Sequence, residues 1–452
     1  MSAPSIAFTY AQALRSLDER GRFGIRLGLG RTRALLRGLG DPHRTVRGAL
    51  VAGTNGKGSV LALTDAALRA AGFHVGATPK PHLVTYRERI QVDGRPIAAD
   101  DFARLVDDVL RIADTLPARH GEPTEFELLT AVVFARFAEV RPDVALVEVG
   151  LGGRLDATHA WDGGVAVVTN VELDHMDRLG DTVTAIAREK AAIIERGDVA
   201  VTGASGDGLA VIRRRARRLG VPLTEAEPAA LLGWDRDGIE VELPGLGRTR
   251  VGMRGRHQAA NVAIADALLD ALSAVGIART DAAARRAGYK SAVWPGRLEL
   301  LTVADRDVLL DGAHNPAGAA ALAVALVDLR PFLTDGPITF ITASMADKDV
   351  TGVIQALTHA RALGGATVVC TSLNVPRAMP AEDLATRWQS GFPGVRVVAE
   401  PDPAAALDGA LSRPAAAGGP VVVAGSLYLV GAARGHLVDD PDLRDPDPLE
   451  GE

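Results

Sequence analysis

The sequence predicts an α/β fold of mostly parallel sheets divided between two domains. Short Val-rich apolar runs alternate with longer amphipathic stretches from Val46 nearly to the end, the pattern of strands and crossover helices. Polar, glycine-rich strings follow several of these runs, at the carboxyl edge where such sheets bind ligands. At 452 residues the chain is also too long for one ordinary core.

Strands are expected at Gly48–Gly53, Val144–Val149, Val165–Val171, Val199–Gly203, Ile338–Ala343, Ala366–Ser372 and Val421–Gly425. Helical periodicity covers Ser59–Ala71, Phe126–Val140, Thr182–Arg196, His257–Val275 and Ala317–Leu329. Pro295-Gly296 stops a helical pattern and a new strand set begins at Leu298, so the division is placed between residues 1–294 and 295–438. The tail, 439–452, is acidic and proline-rich, and is expected to lack order.

Hydrophobic residues make up 47% and charged residues 23%, a globular composition. The net charge of −6, with basic residues spread along the chain, argues against nucleic acid as a partner. A single cysteine, Cys370, excludes an intrachain disulfide framework and any multi-thiolate metal site. No apolar run is long enough to span a membrane, and Met1–Arg20 is too polar for a secretory signal. A cytoplasmic protein is expected.

The strongest local signal is Gly53-Thr54-Asn55-Gly56-Lys57-Gly58-Ser59, between a predicted strand and a predicted helix. Its glycines let backbone N–H groups close around phosphate oxygens at a helix N-terminus. Lys57 would pair with the β/γ-phosphates and Ser59 would offer its hydroxyl to magnesium. The first domain therefore reads as a P-loop-type ATPase sheet, and the second as a smaller, Rossmann-like one. In the common P-loop a Ser or Thr follows the lysine directly; here Gly58 intervenes.

This departure resembles the phosphate loop of the Mur-type ligases, in the version used by the folylpolyglutamate synthase/dihydrofolate synthase family. Other strings fall in the same order, among them Gly28-Leu29-Gly30-Arg31, Pro81-His82-Leu83, Glu148 through Thr158, Leu173-Asp174-His175 and Glu189-Lys190-Ala191. His257-Gln258 with Asn261, Trp294-Pro295-Gly296-Arg297 and Asp311 through Pro316 continue it. The resemblance spans about residues 25 to 435. It implies ATP-dependent addition of L-glutamate to a reduced folate, with dihydropteroate as a second acceptor, through an acyl phosphate. It also implies two magnesium ions and a monomer, and leaves a monovalent cation open. A Mur-type amide ligase acting on a non-folate carboxylate is the alternative.

Two anions must meet for this chemistry, so the site needs cations and close positioning. A glutamate ending an apolar strand is costly unless paired or metal-bound, and the resemblance makes Glu148, with Ser59, a ligand of the first magnesium. A buried salt bridge, with Arg154 as its partner, is the plainer reading of Glu148. His175 is an unusual magnesium ligand on chemical grounds, yet the resemblance places it at a second ion. The resemblance also makes Lys190 a site of carbamylation, which requires burial that lowers its pKa. A solvated helix lysine is the bland reading. Gln258 and Asn261 lie one helical turn apart, and their amides suit an adenine edge.

In the second domain, Arg297 and His314 are implied at the phosphates and Asp311 at the ribose. Gly28, Leu29, Arg31, His82, Arg154 and Asp156 are expected on the acceptor side. Lys80 stands where the family usually has a serine metal ligand. It would replace part of the metal's charge, point at a substrate carboxylate, or signal a shifted loop that brings in Thr78.

Overall fold

The computed structural model describes residues 8–21, 24, 26–375, 377–412 and 418–446. They form two compact units, each drawn from more than one stretch of chain. The first takes the described residues up to Ala229, Ala260–Tyr289, and those from Asp442 onward; the second takes Ala230–Ala259 and Lys290–Pro441. The sequence suggested one boundary at 294/295, whereas the chain changes unit at four places.

The first unit is built on an eight-stranded sheet. Its strands are β1 (Gly48–Ala52), β2 (Val75–Thr78), β3 (Gln91–Val92), β4 (Arg95–Pro96), β5 (Val144–Glu148), β6 (Gly164–Val168), β7 (Val199–Thr202) and β8 (Leu223–Glu225). Their order is β4-β3-β2-β5-β1-β6-β7-β8. From β2 to β8 all pairs are parallel, and β3 and β4 form an antiparallel hairpin at one edge. Every residue of β1 and β5 is buried, as strands covered on both faces require. Helices Ala99–Asp114 and Glu125–Val140 lay Phe102, Phe134 and Phe137 into the same core as Leu50, Val147 and Val168.

The second unit holds two sheets. A small antiparallel one has β9 (Ala230–Asp235), β10 (Gly238–Leu243) and β11 (Gly247–Val251), with β10 in the middle. The larger one orders β12 (Glu299–Val303), β13 (Arg306–Asp311), β17 (Val421–Ala424), β14 (Thr339–Thr342), β15 (Thr367–Cys370) and β16 (Arg396–Ala399). It is parallel except for the β12–β13 pair. Cys370 is a buried strand residue of its core.

Two differences from the sequence reading have local causes. The strand expected to reach Val171 ends at Val168, because Thr169, Asn170 and Glu172 turn aside to hydrogen-bond the phosphate loop. The tail was expected to lack order, yet Pro441–Leu443 is a 3-10 turn and Asp445 accepts from Thr85 Oγ1 at 2.6 Å and from Arg87 Nε at 3.3 Å. Arg87 is a buried cation, and burial of a charge calls for a partner from wherever the chain can supply one. Residues 447–452 lie outside the described residues.

Candidate active site

The site of the first unit grows from the carboxyl edge of its sheet. β1 ends at Ala52, the loop Gly53–Gly56 follows, and Lys57, Gly58 and Ser59 open the helix Lys57–Ala70. Gly56 caps that helix with φ 81°, a left-handed conformation that favours glycine. A Cβ on Gly56 would fall 2.4 Å from Asn261 Oδ1, and one on Gly53 would fall 1.8 Å from Thr169 Oγ1. The loop is thus gripped on two sides through positions where no side chain fits.

The segment after β6 makes most of that grip. Asn170 Oδ1 accepts from the N–H groups of Thr54 (3.2 Å) and Asn55 (2.8 Å). Asn55 Nδ2 donates to Glu172 Oε2 at 2.8 Å, and Thr169 Oγ1 donates to the Asn55 carbonyl at 2.6 Å. Thr169, Asn170 and Glu172 were not singled out from sequence. The signal was present as a run of polar residues directly after an apolar strand.

Two lysines converge on one acceptor. Lys57 Nζ donates to the carbonyls of Gly53 and Thr54, both at 3.1 Å, and Lys190 Nζ donates to the same Gly53 carbonyl at 2.9 Å. Lys190 is 5% exposed, at the buried end of helix Val183–Ala191. Desolvation, and then the neighbouring Lys57 charge, push its pKa down to about 7. A solvated helix lysine is therefore excluded.

Glu148 lies beside β1 in register with Val51 and is buried. Arg154 is not its partner, pairing instead with Glu189 at 2.9 Å on the surface. Lys80 faces Glu148, with its N–H donating to Glu148 Oε2 at 2.9 Å and its Nζ to the Glu148 carbonyl at 2.5 Å. The Lys80 ammonium also sits 4.9 Å from the centre of the Phe126 ring. Desolvation lowers the Lys80 pKa to about 8, against the opposing pull of Asp156 and Glu148. Thr78 stays in β2, with its hydroxyl buried and without a hydrogen-bond partner.

The acceptor-side strings also come together. The Gly28 N–H donates to the Leu155 carbonyl at 3.2 Å, next to the Leu29 turn that opens the helix Gly30–Gly38. Arg31 pairs with the buried Glu127 at 2.8 Å. Asp156 accepts from the N–H groups of Leu151 (2.8 Å) and Thr158 (3.0 Å), which folds the Gly150–Thr158 loop. His82 accepts from Arg89 Nε at 2.8 Å, and desolvation and then the Arg89 charge lower its pKa to about 3. It is a neutral ring at any working pH.

Magnesium takes hard oxygen donors, with water and substrate phosphates completing its shell. The buried Ser59 at the helix start and Glu148 on the adjacent strand are such donors, so they fit an ion that the nucleotide helps to hold. His175 is exposed, 3.7 Å from Asp174, with φ 48°. No group of three or more His, Cys, Asp or Glu that could hold a metal ion alone occurs among the described residues.

In the second unit, Asp311 ends β13 and accepts from the N–H groups of Leu298 (2.9 Å) and Ala313 (3.0 Å). Desolvation raises its pKa while Arg297 draws it back. A Cβ on Gly312 would lie 2.2 Å from Arg297 Nη1, so a bare backbone admits the guanidinium. His314 Nδ1 lies 2.8 Å from the Gly312 carbonyl, ahead of the helix Pro316–Leu329 that Asn315 caps. Gln258 is fully buried against His257 at 3.2 Å and Asn261 is 8% exposed, so neither is a helix-surface amide.

Comparison with known proteins agrees with this layout. The Mur ligase middle domain matches residues 51–269, and the Mur ligase glutamate ligase domain matches 296–427. Dihydrofolate synthase/folylpolyglutamate synthase of Bacillus subtilis is 36% identical over 389 residues, covering 83% of this chain and 88% of the relative. Folylpolyglutamate synthase of Mycobacterium tuberculosis, solved with ADP and AMPPCP, superposes with a TM-score of 0.83 at 33% identity, covering 96% of this chain and 99% of the other. A bifunctional folylpolyglutamate synthase/dihydrofolate synthase solved with Mn, AMPPNP and L-glutamate gives 0.78 at 27% identity, over 96% and 99%. With its phosphate loop, its Glu148–Thr158 string and both matched domains, the chain belongs to the Mur ligase family of ATP-dependent ligases, in its folylpolyglutamate synthase/dihydrofolate synthase branch.

Proposed function

We propose that this ligase adds L-glutamate to a reduced folate, with dihydropteroate as a second acceptor, using ATP and a divalent metal. The observation that carries the reading is the meeting of an anion-ready loop with the acceptor-side strings at one sheet edge. The backbone N–H groups at the start of helix Lys57–Ala70 receive the phosphates. Lys57 exchanges its loop carbonyls for the γ-phosphate as nucleotide arrives. An oxygen of the acceptor carboxylate attacks the γ-phosphorus, the bond to ADP breaks, and an acyl phosphate results. The glutamate amine then attacks the acyl carbon, and phosphate leaves with the bonding pair as the amine sheds its proton.

A divalent ion, when bound, supplies charge neutralisation at the phosphates, and Ser59 and Glu148 are the residues that would hold it. For Lys190 we propose carbamylation: its buried amine, with a pKa near 7, loses its proton readily enough to react with carbon dioxide. We propose a monomer, as the family resemblance implies. No helix among the described residues is long and apolar enough to cross a membrane; the cytoplasmic location is a separate proposal that rests on the use of ATP.

The test is ADP release with ATP, magnesium and L-glutamate, adding tetrahydrofolate or dihydropteroate in turn. Release that depends on both glutamate and a pterin acid is expected. Release indifferent to either pterin would overturn the folate reading and favour a Mur-type ligase for another carboxylate.

A further inference from the structure

We propose that Asp445 is a positioning residue for the acceptor: from the carboxyl-terminal segment it holds Thr85 and Arg87, and through them the turn that carries His82. This rests on the ligase reading above, which puts His82 on the acceptor side, and adds to it a residue that touches no substrate.

The turn behaves as a single body. Glu88 accepts from the N–H groups of Leu83 (3.1 Å), Val84 (2.6 Å) and Thr85 (2.7 Å), and Thr85 Oγ1 accepts the Arg87 N–H at 3.3 Å. The His82 ring lies against Tyr86, with centroids 4.2 Å apart, and accepts from Arg89 Nε at 2.8 Å. A displacement of Thr85 or Arg87 is therefore passed on to His82.

The other side of that body is buried, and its polar groups are completed from far along the chain. Thr85 and Arg87 are 1% and 6% exposed. The Thr85 hydroxyl gives its hydrogen to Asp445 Oδ1 at 2.6 Å, which leaves the Tyr10 hydroxyl, 3.0 Å away, as the donor to Thr85. Desolvation raises the Tyr10 pKa, so the phenol keeps the proton that it donates. The Arg87 guanidinium makes three hydrogen bonds among the described residues, and two of them go to the terminal segment. Nε donates to Asp445 Oδ1 at 3.3 Å and Nη2 to the Arg444 carbonyl at 2.7 Å. Among the described residues Asp445 is the one carboxylate paired with Arg87.

The terminal segment belongs to the first unit from Asp442 onward, yet it adds little to the core, since Asp442, Arg444, Asp445 and Pro446 are exposed. Its contribution is a charge and hydrogen bonds delivered at one point. Without Asp445 the guanidinium is a buried cation lacking its counter-charge, and the Thr85 hydroxyl is a buried donor lacking its acceptor. Water that enters in place of the carboxylate carries no charge and holds neither group at a fixed distance. The turn then loosens, and His82 with it.

The test uses the full chain in two assays. Hydrogen exchange over residues 82–89 is expected to be at least about tenfold faster in Asp445→Ala, with the phosphate loop at 53–59 unchanged. In steady-state assays with ATP, magnesium and L-glutamate, the same variant should raise KM for the pterin acid about tenfold. Its kcat and its KM for ATP should stay within about twofold of the parent. Asp445→Glu, which keeps the charge, should restore the parent KM. If Asp445→Ala does not fold, Asp445→Asn, which keeps the shape, gives the same comparison. An unchanged pterin KM, or one that rises only together with KM for ATP and a fall in kcat, overturns the proposal, and so does unaltered exchange over 82–89. A parent chain that turns over neither pterin acid overturns the folate reading itself, and this assignment with it.

Discussion

Replacing Lys190 with methionine should inactivate the enzyme and make it more stable. Burial brings the Lys190 pKa from 10.5 down to about 7. Each pKa unit is worth about 1.4 kcal/mol, so at pH 7 the lysine costs the folded chain about 4 kcal/mol relative to an unperturbed one. Methionine removes that cost and keeps the length of the side chain. It forfeits the hydrogen bond to the Gly53 carbonyl, worth about 1 kcal/mol, and some packing. A net gain of about 2 kcal/mol remains, on the order of 5 °C in melting temperature.

The pH dependence separates this cause from better packing. Below pH 7 the folded and unfolded chains both hold the Lys190 proton, and the full cost is present. Between about 7 and 10.5 the folded chain sheds it while the unfolded chain keeps it, so the parent gains stability as pH rises. The variant lacks that gain. Thermal melts from pH 6.5 to 9 in bicarbonate-free buffer, where the amine is unmodified, should show the two curves converging. A variant that melts below the parent at pH 6.5, or that rises in parallel with it, would refute the reasoning.

Two further outcomes follow from the geometry. Gly53→Ala places a methyl group 1.8 Å from Thr169 Oγ1 and 3.2 Å from the Thr169 backbone nitrogen, so the loop must shift, and ADP affinity by calorimetry should fall at least tenfold with melting little changed. Asp445→Ala takes from Arg87 an anion whose side chain is 37% exposed, and partial screening limits the loss to about 1 kcal/mol, readable as a lower denaturant midpoint.

The sequence was most legible where function is local. The expected and observed bounds of β1, β5 and β17 differ by one residue, because continuous apolar runs ending at glycine or a polar residue leave little choice. The same holds for the phosphate loop, whose backbone requirement is written in its glycines. Partnerships across the chain were not legible. Nothing near Arg87 announces Asp445, and nothing near Asn55 announces Asn170 and Glu172. The helix expected over Thr182–Arg196 ends at Ala191, where the Glu189 carbonyl accepts the Arg154 N–H and meets Gly153 at close range. Periodicity alone does not see such an approach. Strands of two residues, as in β3 and β4, are too short to carry any pattern.

The interleaving of the two units in sequence bears on how a ribosome delivers this enzyme. The strands of the nucleotide-binding sheet are all made by Glu225, but Asn261, which buttresses Gly56, comes only after β9, β10 and β11 of the other unit have been synthesised. Asp445, the counter-charge of Arg87, comes after that whole unit. A nascent chain released before Asn261 would therefore carry a phosphate loop held by Thr169, Asn170 and Glu172 but lacking its neighbour at Gly56. Completion of the first unit is tied to completion of the second by the order of the codons.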